Sequence, residues 1–266
     1  MEKIKEKVIP VADLLFVLLL FPSAIFLKYI RRVGLRRLPR CRNTLLKLGV
    51  FPIRDHYYEP QFDFRNPVVK FSEDRSLPGI NWNVPGQLEI LSLLRFRDEL
   101  SDIPRERSAS NRYFFNNQTF RSGDAEYWYQ MIRWKKPARI IEIGSGTSTL
   151  MALEAIRRNQ KEVPEYRCEH ICVEPYEMPW LEETGVTVLR KKVEELELSF
   201  FAKLKENDIL FIDSSHIIRP QGDVLYEYLE LLPSLKKGVI VHVHDIFSPK
   251  NYLESWLKED VRFWNE

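Results

Sequence analysis

The sequence is poor in cysteine. Cys41, Cys168 and Cys172 give no even disulfide framework, and the closest pair falls inside one run that reads as a β-strand, so a reducing compartment suits the chain. It also lacks a strong charge bias. Its 40 Lys and Arg against 38 Asp and Glu leave a formal +2, too little for a nucleic-acid binder. No internal repeat or low-complexity tract is present. The run Cys168-Glu169-His170-Ile171-Cys172 carries metal-ligand side chains, but its spacing is not that of a zinc knuckle and no second ligand pair follows, which argues against a structural metal there. What remains is a globular chain: 266 residues with 44% hydrophobic side chains are ample for a packed core.

Long apolar runs are also scarce, with one exception. Residues 8–27, VIPVADLLFVLLLFPSAIFL, are nearly long enough to cross a bilayer as a helix, although Pro10, Asp13 and Pro22 interrupt them. Residues 28–47 then hold Lys28, Arg31, Arg32, Arg36, Arg37, Arg40, Arg42 and Lys47 with no acid, the flank expected beside anionic headgroups on the cytoplasmic side. A small-residue cleavage site is missing, which argues against a secretory signal. Three readings stay open: a membrane span, a proline-bent anchor in the interface plane, and a buried helix of the fold. Residues 1–47 are thus expected to be a membrane-associating segment facing the cytoplasm.

Residues 48–123 read as a loop-rich cap or substrate region. The pattern of Leu88, Ile90, Leu91, Leu93, Leu94 and Phe96 predicts one helix over 87–100. Tyr57, Tyr58, Phe62, Phe64 and Trp82, set among prolines and charges, are assigned to a satellite core in preference to a substrate pocket.

After Pro137 strands alternate with helices, which predicts an α/β fold with a parallel sheet covered on both faces. The expected strands are 138–143, 168–174, 186–189, 208–213 and 238–244. A helix over 148–158 follows the first strand, and another over 222–232 stops at Pro233.

The most informative stretch is Ile140-Ile141-Glu142-Ile143-Gly144-Ser145-Gly146-Thr147-Ser148-Thr149, an apolar strand that runs through an acid into a glycine turn and a helix. Gly144 and Gly146 let backbone N–H groups approach a ligand. The third glycine of the dinucleotide fingerprint is absent, Thr149 standing in its place, which argues against a dehydrogenase. Glu174 ends the second strand, where a carboxylate can accept hydrogen bonds from two ribose hydroxyls.

These runs, with Glu174-Pro175, residues 208–216 (DILFIDSSH) and residues 238–245 (GVIVHVHD), resemble the class I S-adenosylmethionine-dependent methyltransferases. Within that group the chain is similar to a bacterial branch near catechol and macrocin O-methyltransferases and cephalosporin hydroxylase. The resemblance covers residues 124–266 and implies a Rossmann-like, doubly wound, mostly parallel sheet. It also implies that Glu142, Gly144 and Gly146 meet the methionine part of the cofactor and Glu174 its ribose. Thr147, Ser148 and Asp213 complete that cofactor set. Sheets of this family end in an antiparallel hairpin after the fifth strand, whereas residues 248–266 read as one helix and a tail, so the hairpin is expected to be missing.

Strand tips in such a sheet converge, so Asp213, His216, His244 and Asp245 are expected in one crevice. By the resemblance Asp213 and Asp245 match the ligands of the metal-dependent members. His244 stands where an acid is usual, and Asp213, His244 and Asp245 would suit a softer divalent metal or none. Alternatively His216 or His244 takes the proton of a substrate hydroxyl beside Asp213. His242 is expected to be structural.

The expected activity is methyl transfer from S-adenosylmethionine to an oxygen of a small-molecule or lipid-linked substrate at the cytoplasmic face of a membrane. Two alternatives stand beside it: a non-catalytic, cofactor-binding membrane scaffold, and a hydroxylase-like, metal-dependent oxidoreductase. The sequence gives no oligomeric state.

Overall fold

The computed structural model describes residues 2–266 apart from 55, 57, 62, 64, 65 and 108–111, with side chains described from residue 9 onward. Tyr57, Phe62 and Phe64, expected in a satellite core, lie outside the described residues. Two compact units are present, Met1–Lys70 with Ser255–Phe263 and Phe71–Glu254 with Trp264–Glu266.

In the first unit α1 (Glu2–Val33) runs unbroken through Pro10 and Pro22. None of its apolar window within Ile9–Val33 is buried, so the segment is not a buried helix of the fold. Gly34, at φ +96°, turns the chain toward α2 (Pro39–Leu48), a conformation that costs glycine little. Ile30, Leu35 and Leu45 then bury a small cluster with Leu27, Leu38 and Cys41 at its edge.

The second unit opens with α3 (Val84–Leu93), started by Pro85 in its first turn. The single helix expected over 87–100 is not formed: Leu94 turns extended, and a 3-10 turn follows at Arg97–Asp102. A tertiary contact overrides the periodicity. The Phe96 N–H donates to Gln130 Oε1 at 3.2 Å, and the Arg133 guanidinium lies 4.6 Å over the Phe96 ring. Tyr58 and Trp82 are exposed, so neither contributes the satellite core expected of them.

Beyond α4 (Asp124–Lys135) the units alternate as β1 (Arg139–Ile143), α5 (Thr147–Glu162), β2 (Glu169–Val173), β3 (Thr187–Leu189), α6 (Leu198–Phe201) and β4 (Ile209–Ile212). A helix follows in three registers, α7 (Asp223–Tyr226), a π-turn (Glu227–Leu231) and α8 (Leu232–Ser234), before β5 (Ile240–Val243); α9 (Glu254–Lys258) comes next in the chain and belongs to the first unit from Ser255 on. All five strands are parallel, in the order β3-β2-β1-β4-β5, a Rossmann-like α/β sheet. Among the described residues no strand follows β5, which forms one edge of the sheet.

Side-chain alternation divides the core in two. Ile140, Ile209 and Phe211 pack with Trp128, Ile132 and Met151 on one face, and Ile141, Ile143, Ile171 and Ile212 with Phe201 and Leu231 on the other. Burial stabilises by about 1.5–3 kcal/mol for each such side chain. Arg133, nearly fully buried, ties α4 to its neighbours by donating to both Glu99 oxygens at 2.7 and 2.9 Å, to Glu162 at 3.1 Å and to Asn159. That lattice fixes α5, whose N-terminus carries the glycine turn. The strand order reverses between β1 and β4, so the crevice opens above their C-terminal ends.

Candidate functional site

The turn after β1 is held from both sides. Gly144 donates to Val173 O at 3.1 Å, and the Asp213 N–H donates to Ile143 O at 2.8 Å. Gly144 has φ +74°, and a Cβ there would lie 1.8 Å from the Asp213 carbonyl oxygen. Only glycine fits, because the β1 turn rests directly on the β4 tip. Gly146 differs, since an added Cβ would come no nearer than 3.8 Å to Met178. The fold leaves open space there.

Thr149 has a task in place of the missing glycine. Its hydroxyl accepts from the Gly146 N–H at 3.1 Å and donates to Glu142 Oε2 at 2.9 Å, bridging turn and strand. Glu142 is fully buried, also bonded by Ser148 Oγ and by His170 Nε2 at 2.8 Å. Burial opposes charge on His170, and Cys172 and Glu142 beside it raise its pKa. Glu142 has no exposed surface and braces the turn from below.

Glu174 stands at the end of β2 as expected. Its Oε1 accepts from the backbone N–H groups of Tyr176 and Glu177 at 3.0 Å, and its Oε2 is 3.3 Å from the Ser145 nitrogen. One carboxylate thus joins the glycine turn to the loop after β2. A cavity of about 290 Å³ adjoins them, lined in part by Asn117, Thr119, Thr147, Met178 and Trp180. Thr147, first in α5, shares a 2.7 Å hydroxyl contact with Thr119, so the 112–121 loop closes over the turn.

The strand tips converge as expected. Donor atoms of Asp213, His216 and Asp245 lie within 4.8 Å of one another. This triplet takes His216 where the expected metal set had His244. His244 Nδ1 is nevertheless 3.4 Å from Asp213 and 3.7 Å from Asp245, while its Nε2 is 3.5 Å from Asp124. Neither His244 nitrogen makes an aligned hydrogen bond among the described residues, so these carboxylates act on it chiefly as charges. His216 Nε2 lies 3.3 Å from Asp213 Oδ1, its Nδ1 lies 2.7 Å from Glu266 Oε2, and its ring sits 4.4 Å from that of Trp264. His216 and Asp245 hold left-handed backbone, φ +58° and +54°, strain of the kind that collects at functional sites.

The electrostatics follow from this crowding. Burial works against charge on Asp213, and the His216 and His244 contacts override it, holding the carboxyl down to about 2. Burial likewise opposes charge on both rings, yet Asp213 and Glu266 lift His216 to about 9, and Asp124 and Asp213 lift His244 to about 10. Both values lie above the ordinary histidine range, which favours the protonated form of each ring at neutral pH and works against the expected base there. His242 is different: burial, and then the charge of His244, press it down to about 4. Its ring lies 4.8 Å from that of Phe211 and 5.6 Å from that of Trp128, the structural place expected for it. Asp213 and Asp245, with side chains 32% and 25% exposed, form the open side of the cluster, while His216, His244 and Glu266 lie beneath.

Asp124, Glu266 and Thr119 were missed in the sequence. Asp124 begins a helix after Gly123, which reads as an ordinary helix start. Glu266 lies in a tail with no periodicity. Only the fold brings them to the strand tips.

Residues 141–246 match a family described as a methyltransferase domain. The matched stretch takes in the glycine turn, Glu174, Asp213, His216, His244 and Asp245, and supports a methyltransferase family for this part of the chain. An uncharacterized protein of Archaeoglobus fulgidus is 28% identical over 173 residues, covering 60% of this chain and 76% of that protein. No solved structure matches.

Proposed function

We propose, with the methyltransferase domain of residues 141–246 as premise, that this chain moves the methyl group of S-adenosylmethionine to an oxygen nucleophile. One observation carries the reading: the glycine turn packs directly on the Asp213 backbone, so a ligand held at the open Gly146 lies beside the charged cluster at the strand tips. Thr147 presents its backbone N–H at the start of α5, the Gly146 N–H being given to Thr149, and Glu174, spent on one oxygen but less so on the other, accepts from ribose hydroxyls. The cofactor supplies a methyl group on a positively charged sulfur. Asp213 stays ionised, accepts a hydrogen bond from the substrate hydroxyl and orients its oxygen for in-line attack. His216, braced by Glu266, holds Asp213 in place and takes up the hydroxyl proton only once it has lost its own.

Asp213, His216 and Asp245 also make a donor set of two oxygens and one nitrogen, which fits a divalent ion softer than magnesium. Such an ion would polarise the substrate oxygen. Incubation with methyl-labelled S-adenosylmethionine and a panel of hydroxyl and amine acceptors tests the main reading, and label found only on amines overturns the oxygen assignment. Activity that survives a chelator removes the metal.

The apolar window within Ile9–Val33, none of it buried, supports a membrane anchor, and the basic flank supports a cytoplasmic orientation. A lipid-linked acceptor or cell-surface precursor accords with that placement. Release of the full chain from membranes by alkaline carbonate would refute the anchor.

A further inference from the structure

The membrane-proximal unit carries a cavity of its own. It has a volume of about 450 Å³, and its walls include Ala24, Leu27, Lys28 and Arg31 from α1 together with Ile53 and Arg54 from the chain beyond α2. The four α1 residues follow the i, i+3, i+4, i+7 spacing of one helix face. They grade from apolar to basic along that face. From Ile9 to Leu27 the helix rises roughly 27 Å at 1.5 Å per residue, close to the roughly 30 Å of a bilayer's hydrocarbon. Lys28 and Arg31 therefore fall where the hydrocarbon gives way to headgroups.

Among the described residues the fully charged side chains that line the cavity are basic. Lys28, Arg31 and Arg54 are its cations, and Glu59 pairs with both Arg31 and Arg54, the latter at 3.4 Å, leaving an excess of positive charge among the described residues. Arg31 Nε is buried and makes no hydrogen bond among the described residues, so this N–H still needs an acceptor. A volume of this size suits a headgroup with the start of its chains.

We infer that this cavity binds the phosphate of one anionic membrane phospholipid, with Lys28, Arg31 and Arg54 on the phosphate and Ala24, Leu27 and Ile53 against the glycerol and upper acyl carbons. This rests on the membrane anchoring proposed above. The bound lipid is distinct from the methyl acceptor and serves to fix the height and rotation of α1 in the bilayer.

The test uses the full chain purified in a neutral detergent, titrated with phosphatidylglycerol or phosphatidylcholine of identical acyl chains and read by native mass spectrometry. One phosphatidylglycerol per chain is expected, preferred over phosphatidylcholine by about tenfold or more. Lys28→Gln with Arg54→Gln should abolish that preference, whereas Lys28→Arg with Arg54→Lys should keep it. Arg36→Gln with Arg37→Gln removes equal charge from an exposed turn and should change the preference by less than about twofold. Equal losses from the two Gln pairs, or no headgroup preference in the parent, would overturn the site. Glycerol 3-phosphate binding as tightly as the lipid would overturn the lipid source and leave a soluble phosphate-ester site. Carbonate extraction separates the premises: a released chain sinks the anchor, while a retained chain without headgroup preference sinks only the cavity.

Discussion

His216 Nδ1 lies 2.7 Å from Glu266 Oε2, and the chain clasps the same place twice more, since the Asn265 N–H donates to His216 O at 3.0 Å and the Ile218 N–H to Asn265 Oδ1 at 2.7 Å. The tail thus holds a histidine whose other nitrogen faces Asp213. Glu266→Gln keeps the shape but removes a charge, so the pKa of His216 should fall from about 9 toward the ordinary histidine range. NMR titration of the His216 ring reads this directly, without knowledge of the substrate. An unchanged midpoint would mean that Asp213 alone sets the charge of the ring.

The two glycines of the turn should separate fold from ligand. Gly144→Ala forces a Cβ to 1.8 Å from the Asp213 carbonyl oxygen at a positive φ, so a loss of stability above about 3 kcal/mol is expected. Gly146→Ala meets nothing closer than 3.8 Å and should melt within about 1 kcal/mol of the parent. Its binding of S-adenosylmethionine should nevertheless weaken, by calorimetric titration, because the methyl group fills the space where the backbone meets a ligand. Unimpaired binding by Gly146→Ala would move the cofactor away from the turn.

The contrast between these glycines shows what was readable in advance. The parallel sheet was legible because near-continuous apolar runs such as 209–212, bounded by turns, have few other ways to be buried, and β1 to β5 lie where the runs predicted them. Gly144 and Glu174 were legible because strand ends and turns impose their own residue types. The helix over 87–100 was misjudged because Phe96 answers to Arg133 and Gln130, distant in sequence. The bracing role of Glu142 was hidden for a similar reason: its partners Ser148, Thr149 and His170 become neighbours only when α5 folds back over β1 and β2 pairs with it.

Glu174 and Asp213 should divide binding from turnover. Glu174→Ala removes an acceptor in a nearly buried crevice and should weaken S-adenosylmethionine binding by about 1–3 kcal/mol. Asp213→Asn should leave that affinity within about threefold while lowering turnover at least about a hundredfold, as expected for a group that acts on the substrate oxygen in the transition state. Comparable losses of affinity in both variants would place Asp213 in the cofactor pocket instead.

The buried charges at the strand tips also set how stability depends on pH. His216 and His244 have folded pKa values raised to about 9 and about 10, so the stability they contribute is full below about 6.5, the unfolded value, and is lost as pH rises through the folded values. Glu227 adds to the same slope. Burial raises its pKa to about 8 despite a 2.9 Å bond from Ser214 Oγ, so keeping it buried becomes costlier as the pH passes its unfolded value. Asp213 acts oppositely: held at about 2, it contributes stability above the ordinary carboxyl range and loses it as pH falls toward 2. Scanning calorimetry should therefore find the highest Tm in weak acid and a steady decline from pH 7 to 10. Because the proton that His216 sheds on that alkaline limb is the one that blocks it as a base, methyl transfer should rise over the same interval, with a midpoint near 9. Glu266→Gln should shift that midpoint downward together with the NMR titration of the ring. A Tm flat from pH 7 to 10, or a rate that rises there without following the His216 titration, would remove the ring from the proton path and leave Asp213 to act alone.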